Sequence, residues 1–217
     1  MIINFLLPLT KINLILKVMK TTILLLFLAI TSCNKDSVKQ DPIAQLPPET
    51  QTGANTFGVT INGKVYIPRD PTGVNVGGSN GKGMVWWGTS TNQYKDLEVK
   101  DGASSVGFLM VLHIQNIEQN KIGQYILKQS NFQRGVDSVP FNHIFFKIWD
   151  TKIGNYAYYG SIENQGFINI LKYDTVNYIT SGNFSGKFVR FDNPNEFITI
   201  SDGRFDTGAD LLNHPFP

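Results

Sequence analysis

One cysteine, three histidines and no uninterrupted apolar run of bilayer length set the first limits on this chain. A lone cysteine excludes an intrachain disulfide. His113, His143 and His214 are not spaced with one another or with Cys33 as zinc ligands are, so no metal is expected. His113, after Met110-Val111-Leu112, reads as a hydrogen-bonded strand histidine and His214 as part of a Pro-flanked tail. There is no G-x-S-x-G elbow and no Walker loop. The Gly-rich stretch 76–83 lacks phosphate-loop spacing and reads as a surface loop. No window of useful length repeats apolar residues at i, i+3, i+4, so little helix is expected. Beyond its N-terminal segment the chain has no basic tract, so the electrostatic footprint of a nucleic-acid binder is absent.

What is present begins with Leu24-Leu25-Leu26-Phe27-Leu28-Ala29-Ile30-Thr31-Ser32-Cys33. The apolar stretch from Thr21 to Ser32 is shorter than the ~20 residues of a spanning helix but suits a secretory h-region. Lys20 supplies its positive flank. Joining it to the apolar residues before it would bury Lys11 and Lys17, which is costly in a membrane. Ile30-Thr31-Ser32-Cys33 resembles the lipobox of bacterial lipoproteins. That resemblance implies cleavage before Cys33 and acylation, including palmitate, of the new N-terminus. Residues 1–32 are then a signal peptide. Within it Met19-Lys20 is the more natural start, which makes 1–18 an upstream extension. Excision removes Lys11, Lys17 and Lys20 and no acid. The 19 basic residues become 16 against 17 acidic, so the net charge moves from +2 to −1. The expected location is the outer membrane, at its periplasmic face or the cell surface. The membrane is reached through the lipid on Cys33.

Residues 33–55 read as an anchored cysteine followed by a flexible linker, because Pro42, Pro47 and Pro48 interrupt polar sequence. Such a tether would reach up to ~70 Å. From 56 to 207 the texture is that of one β domain, with 208–217 a tail. Asn62-Gly63 between alternating segments is a strong hairpin signal. Further strands are expected at 84–89, 96–99, 106–115, 123–127, 143–149, 157–162, 166–173, 177–189 and 196–202. Phe184, Phe188 and Phe191 do not share parity, which suggests a bulge near 186–189. Ile198 and Ile200 should face the core. Glu118-Gln119-Asn120 is at best a turn. The fold class is all-β: an antiparallel β-sandwich or partly closed barrel of about nine or ten short strands.

Three stretches carry a family likeness: Asn55-Thr56-Phe57-Gly58 with Ile61-Asn62-Gly63-Lys64-Val65-Tyr66; Ser181-Gly182-Asn183-Phe184-Ser185-Gly186-Lys187-Phe188; and Ile198-Thr199-Ile200-Ser201-Asp202-Gly203-Arg204-Phe205-Asp206. They resemble a family of uncharacterised Bacteroidota lipoproteins with an all-β domain of unknown function. These motifs are turn signatures. They imply a fold and no catalytic residue.

Aromatic residues are the candidate ligand contacts. Trp86 and Trp87 are adjacent in a strand, so one should face the core and the other solvent. Tyr156 and Tyr158 share a face and Tyr159 takes the other. Exposed rings on a β face suit stacking on sugars, and the low charge suits a neutral polar ligand. The acids offer weaker constellations. Asp192-Asn193-Pro194-Asn195-Glu196 could present oxygens to calcium but lacks a calcium-loop repeat. Asp150 with Glu163 could be an acid pair for glycoside hydrolysis, one of many pairs that 17 acids allow. The functional expectation is a non-catalytic binding or envelope-interaction module without cofactor. Its partner would be a glycan or an envelope protein. A glycan-binding accessory protein of nutrient uptake and a hydrolase of envelope or glycan substrates are the alternatives.

Overall fold

Asn62 and Gly63 both hold positive φ, 46° and 77°, the pair of left-handed residues that a tight hairpin turn needs. They join β1 (Thr56–Ile61) to β2 (Lys64–Tyr66), with Ile61 opposite Lys64. The structure, a computed structural model, describes residues 45–70, 83–88 and 93–208. Cys33, His214 and the Gly-rich stretch up to Lys82 lie outside them.

Eight more strands follow: β3 (Met84–Trp87), β4 (Tyr94–Lys100), β5 (Leu109–Gln115), β6 (Gly123–Ile126), β7 (His143–Asp150), β8 (Asn155–Asp174), β9 (Ile179–Arg190) and β10 (Asn193–Thr207). A single helical turn, Ile117–Asn120, is seated by buried Ile117. The strands form one antiparallel sheet in the order β2-β1-β10-β9-β8-β7-β5-β4-β3, with β6 on the second half of β8. The sheet does not close into a barrel. It folds over its own core instead. The Trp86 indole N–H of β3 donates to Thr207 Oγ1 of β10 at 3.1 Å, and its ring meets Phe205 edge-on. The result is sandwich-like rather than barrel-like.

Alternation builds the core. Leu97 and Val99, Met110 and Leu112, Ile144 and Phe146, and Ile198 and Ile200 are all buried on one side of the sheet. Each such side chain stabilises the fold by roughly 1.5–3 kcal/mol. The strands expected at 157–162 and 166–173 are one bent strand, β8. Its first half pairs with β7 and its second with β6. The register shifts lie in β8, between Ser161 and Gly166 and between Ile170 and Lys172, and in β10, between Asn193 and Phe197 and between Ile200 and Gly203, not in β9. Phe184 and Phe188 keep parity in the core without a bulge, and Phe191 is simply exposed.

The expected linker needs a correction, because its last ten residues belong to the domain. Leu46 is buried. The buried Asp206 carboxylate accepts hydrogen bonds from Thr50 Oγ1 (2.6 Å), Thr52 N (2.9 Å), Gly53 N (2.9 Å) and Ala54 N (3.1 Å). Asn55 Oδ1 accepts one from Gly208 N at 2.7 Å. Burial works against the charged form of Asp206. The donors from Thr50, Ala54, Thr52 and Gly53 outweigh it and hold the carboxyl below its ordinary range. The folded unit therefore includes residues 46–55 as well as the strands from Thr56 onward.

Candidate functional site

The sheet has a second buried face. On β3, β4, β5 and β7 the residues opposite the core fall into one cross-strand row: Trp87 beside Asp96, Asp96 beside His113, His113 beside His143. An outer face carrying acids and imidazoles would normally be wet. Here the segment 127–142, between β6 and β7, straps across it. The strap is fixed by Ser130 N to Ser161 O (3.0 Å) and Lys128 N to Asn142 O (2.8 Å). Gly160 beneath it has no room for a side chain: a Cβ there would stand 2.7 Å from Phe132 Cζ and 2.9 Å from Ser130 Cβ. As a result His113 and His143 are fully buried and Asp96 nearly so.

Buried polar groups must be paired, and these are. His113 Nδ1 lies 2.5 Å from Asp96 Oδ1, and Asp96 Oδ2 accepts from Gly135 N at 2.7 Å. The Gln115 amide nitrogen sits 2.9 Å from His113 Nε2, which places the ring proton on Nδ1, toward the carboxylate. His143 uses both nitrogens on serines: Nδ1 with Ser130 Oγ (2.9 Å) and Nε2 with Ser138 Oγ (2.6 Å). The two imidazoles stand 4.9 Å apart, with Tyr94 stacked on His113 at 5.2 Å. Burial, helped by repulsion from His113, pushes His143 down to about 3. It is neutral at physiological pH.

This row contains the parts of a Ser–His–Asp relay in the wrong order. The carboxylate serves His113, whose other nitrogen ends on Gln115. The serines serve His143, which contacts no carboxylate among the described residues. A base held near 3 is also poorly matched to neutral pH. The row is built to hold the strap.

The row opens at one end. A cavity of about 430 Å³ is lined by Trp87, Gly88, Tyr94, Asp96, Arg134, Gly135, Val136 and Asp137. Trp87 is half-exposed at 51%. The Arg134 guanidinium is paired with Glu98.

The five aromatic candidates separate. Trp87 lines this cavity. Trp86 is a packing residue, because β3 alternation turns it toward Phe205 and Thr207. Tyr159 is likewise buried, stacked 5.6 Å from Phe146. Its hydroxyl donates to Glu196 Oε1 at 2.6 Å, and burial together with that carboxylate pushes the phenol up. Tyr158 is exposed on the outer face of β8. Tyr156 meets Trp149 edge-on at 5.3 Å and carries Lys147 Nζ 4.6 Å over its ring. Trp149 in turn borders a second cavity of about 560 Å³ with Tyr66, Arg69, Asp101 and Phe108. Tyr94, Arg134 and Asp137 escaped sequence reading, since only strand register and the strap bring them to Trp87.

The acidic constellations are neutralised by cations of the chain itself. Arg190 gathers the end of the β9–β10 hairpin: Nε on Asp192 Oδ1 (2.6 Å), and Nη1 on Glu196 Oε2 (3.1 Å) and Asp150 Oδ2 (3.3 Å). Glu163 instead pairs with Lys128 at 2.7 Å. Asp150 and Glu163 thus belong to different ion pairs. No group of three or more His, Cys, Asp or Glu among the described residues could hold a metal.

Comparison with protein-family models, curated proteins and solved structures finds no match. Among the described residues no helix is long and apolar enough to cross a membrane.

Proposed function

We propose that this chain is a lipid-anchored lipoprotein of the bacterial outer membrane, of the kind its Bacteroidota-like motifs suggest. Its β domain serves as a non-catalytic binding module. The single observation that carries the binding role is Trp87: a large indole kept half-exposed beside a cavity that it lines. Cys33 at the end of the apolar run carries the anchoring role. A glycan ligand is the more specific form of this reading, favoured by the flat indole face. The accessory role in nutrient uptake would follow from it.

Two measurements test the proposal. Metabolic labelling with palmitate should mark the wild type and not Cys33→Ala; equal labelling of both removes the anchor. Thermal unfolding of the mature chain in detergent micelles, against polysaccharides, peptidoglycan fragments and divalent metals, tests the module. A ligand present at ~100 times its dissociation constant adds ~2.7 kcal/mol, which at this size is a shift of about 5 °C or more. That shift should disappear in Trp87→Ala. A panel without any shift favours a purely structural role in the envelope.

A further inference from the structure

We infer that the Trp87 cavity takes a sugar bearing a free ammonium group, an inference that rests on the binding-module reading and narrows it. Charge accounting around the cavity leads there. Arg134, the one cationic side chain of its lining among the described residues, is paired with Glu98. Asp96 spends one oxygen on His113 and the other on Gly135 N. Asp137 is different. It sits on the exposed strap, and its side chain has no hydrogen-bond or ion-pair partner among the described residues. The cavity therefore presents one unspent carboxylate beside two aromatic rings, Trp87 and Tyr94.

That combination selects a cation. Aromatic faces attract ammonium groups through the ring quadrupole, most strongly at Trp. A carboxylate at the same mouth adds a charge-assisted hydrogen bond. An anionic ligand would meet Asp96, Asp137 and, behind Arg134, Glu98. A neutral sugar could stack on Trp87 but would form no ion pair with Asp137. An amino sugar uses both the ring face and the carboxylate. The cavity, at about 430 Å³, falls in the range of small-ligand sites.

The test is calorimetric titration of the mature chain in detergent micelles, in mildly acidic buffer where the amine is protonated. Three oligosaccharides of equal length serve as probes: a glucosamine oligomer, its fully N-acetylated form and a glucose oligomer. The glucosamine oligomer should bind about tenfold or more tightly than either other probe. Asp137→Asn should erase that preference, and Trp87→Ala should weaken binding of the glucosamine oligomer by about tenfold or more. Glu163→Gln, on a carboxylate already paired with Lys128, should change nothing and controls for overall charge. Equal affinity for all three probes, or a preference that survives in Asp137→Asn, overturns the ammonium assignment while the wider binding reading stands. Binding of none of the three also overturns it. The broader ligand panel then decides independently whether the module reading falls with it.

Discussion

Two buried polar centres hold segments onto this sheet, and they are built from different chemistry. At Asp206 one carboxylate collects two hydroxyls and three backbone amides from residues 50–54. At the His113–His143 row two imidazoles are divided among Asp96, Gln115 and two serines. The first centre is a charged acceptor surrounded by donors, and it has one protonation state over most of the pH scale. The second includes His143, held neutral by its burial, and it borders a cavity. The lesson is that the Asp206 latch is purely architectural, whereas the strap over the histidines joins architecture to the candidate ligand site.

The largest expected effect breaks the latch. Asp206→Ala leaves the amides of Thr52, Gly53 and Ala54 without their acceptor. We expect a loss of about 3 kcal/mol, since unpaired buried donors cost about 1–3 kcal/mol each and the freed segment can rehydrate. Limited proteolysis should then cut within 46–55 first. A stable Asp206→Ala chain with these residues still protected would show that Leu46 and Pro47 packing alone holds the segment.

Acidification separates the two centres by pH window. His143 is depressed in the folded state, so the unfolded chain binds a proton that the folded chain refuses. Its contribution is complete above about 6.5 and falls by about 1.4 kcal/mol per pH unit below that. Asp206 is depressed too, but as an acid. Its contribution is complete above about 4 and is lost only below that. Between about pH 6.5 and pH 5 the histidine alone should therefore cost about 2 kcal/mol. The titratable groups that act on it are His113 and Asp96. Urea unfolding at about pH 7 and about pH 5 should show this slope in the wild type and a flatter one in His143→Gln. Parallel slopes would mean that His143 is hydrated when the strap is in place.

How much of this could be read beforehand follows the range of the interactions. The Asn62-Gly63 turn was legible because its requirement for positive φ is local. Ile198 and Ile200 were legible because strand alternation is local. The long β8 was not, because its bend at Ser161–Gly166 is imposed by two partners, β7 and β6, that lie apart in the chain. The histidine row was hidden for a similar reason. His113 and His143 become neighbours only because β5 pairs with β7, skipping β6. Asp206 stood at the end of a turn motif, and nothing local says that it reaches back about 150 residues to residues 50–54.

A smaller effect should come from beneath the strap. In Gly160→Ala the new methyl meets Phe132 and Ser130, and overpacking of this kind costs about 1–3 kcal/mol. The Phe132 ring can move, whereas Ser130 is tied to Ser161 O and to His143, so the lower half of that range is expected. Amide exchange of Ser130 should quicken while Phe57 in the core stays protected. If both amides quicken equally, the strap is not a separate unit but part of the global fold.

The smallest effect on stability belongs to the residue of greatest functional interest. Trp86 and Trp87 are chemically identical neighbours on one edge strand, and only alternation distinguishes them. Trp86→Ala removes the contact with Phe205 and the hydrogen bond to Thr207, and should cost about 2 kcal/mol, below the range for a fully buried tryptophan because the indole is only partly buried. Trp87→Ala removes a side chain that is already half in water, and should stay within about 0.5 kcal/mol of wild type. Urea denaturation of the two variants gives the comparison directly. A cost for Trp87→Ala approaching that of Trp86→Ala would mean that the indole closes the end of the histidine row against water. Trp87 would then be a structural plug, and the cavity beside it a by-product of packing. A near-neutral substitution leaves an exposed indole without a structural reason to be there, and that is the condition under which a ligand becomes its explanation.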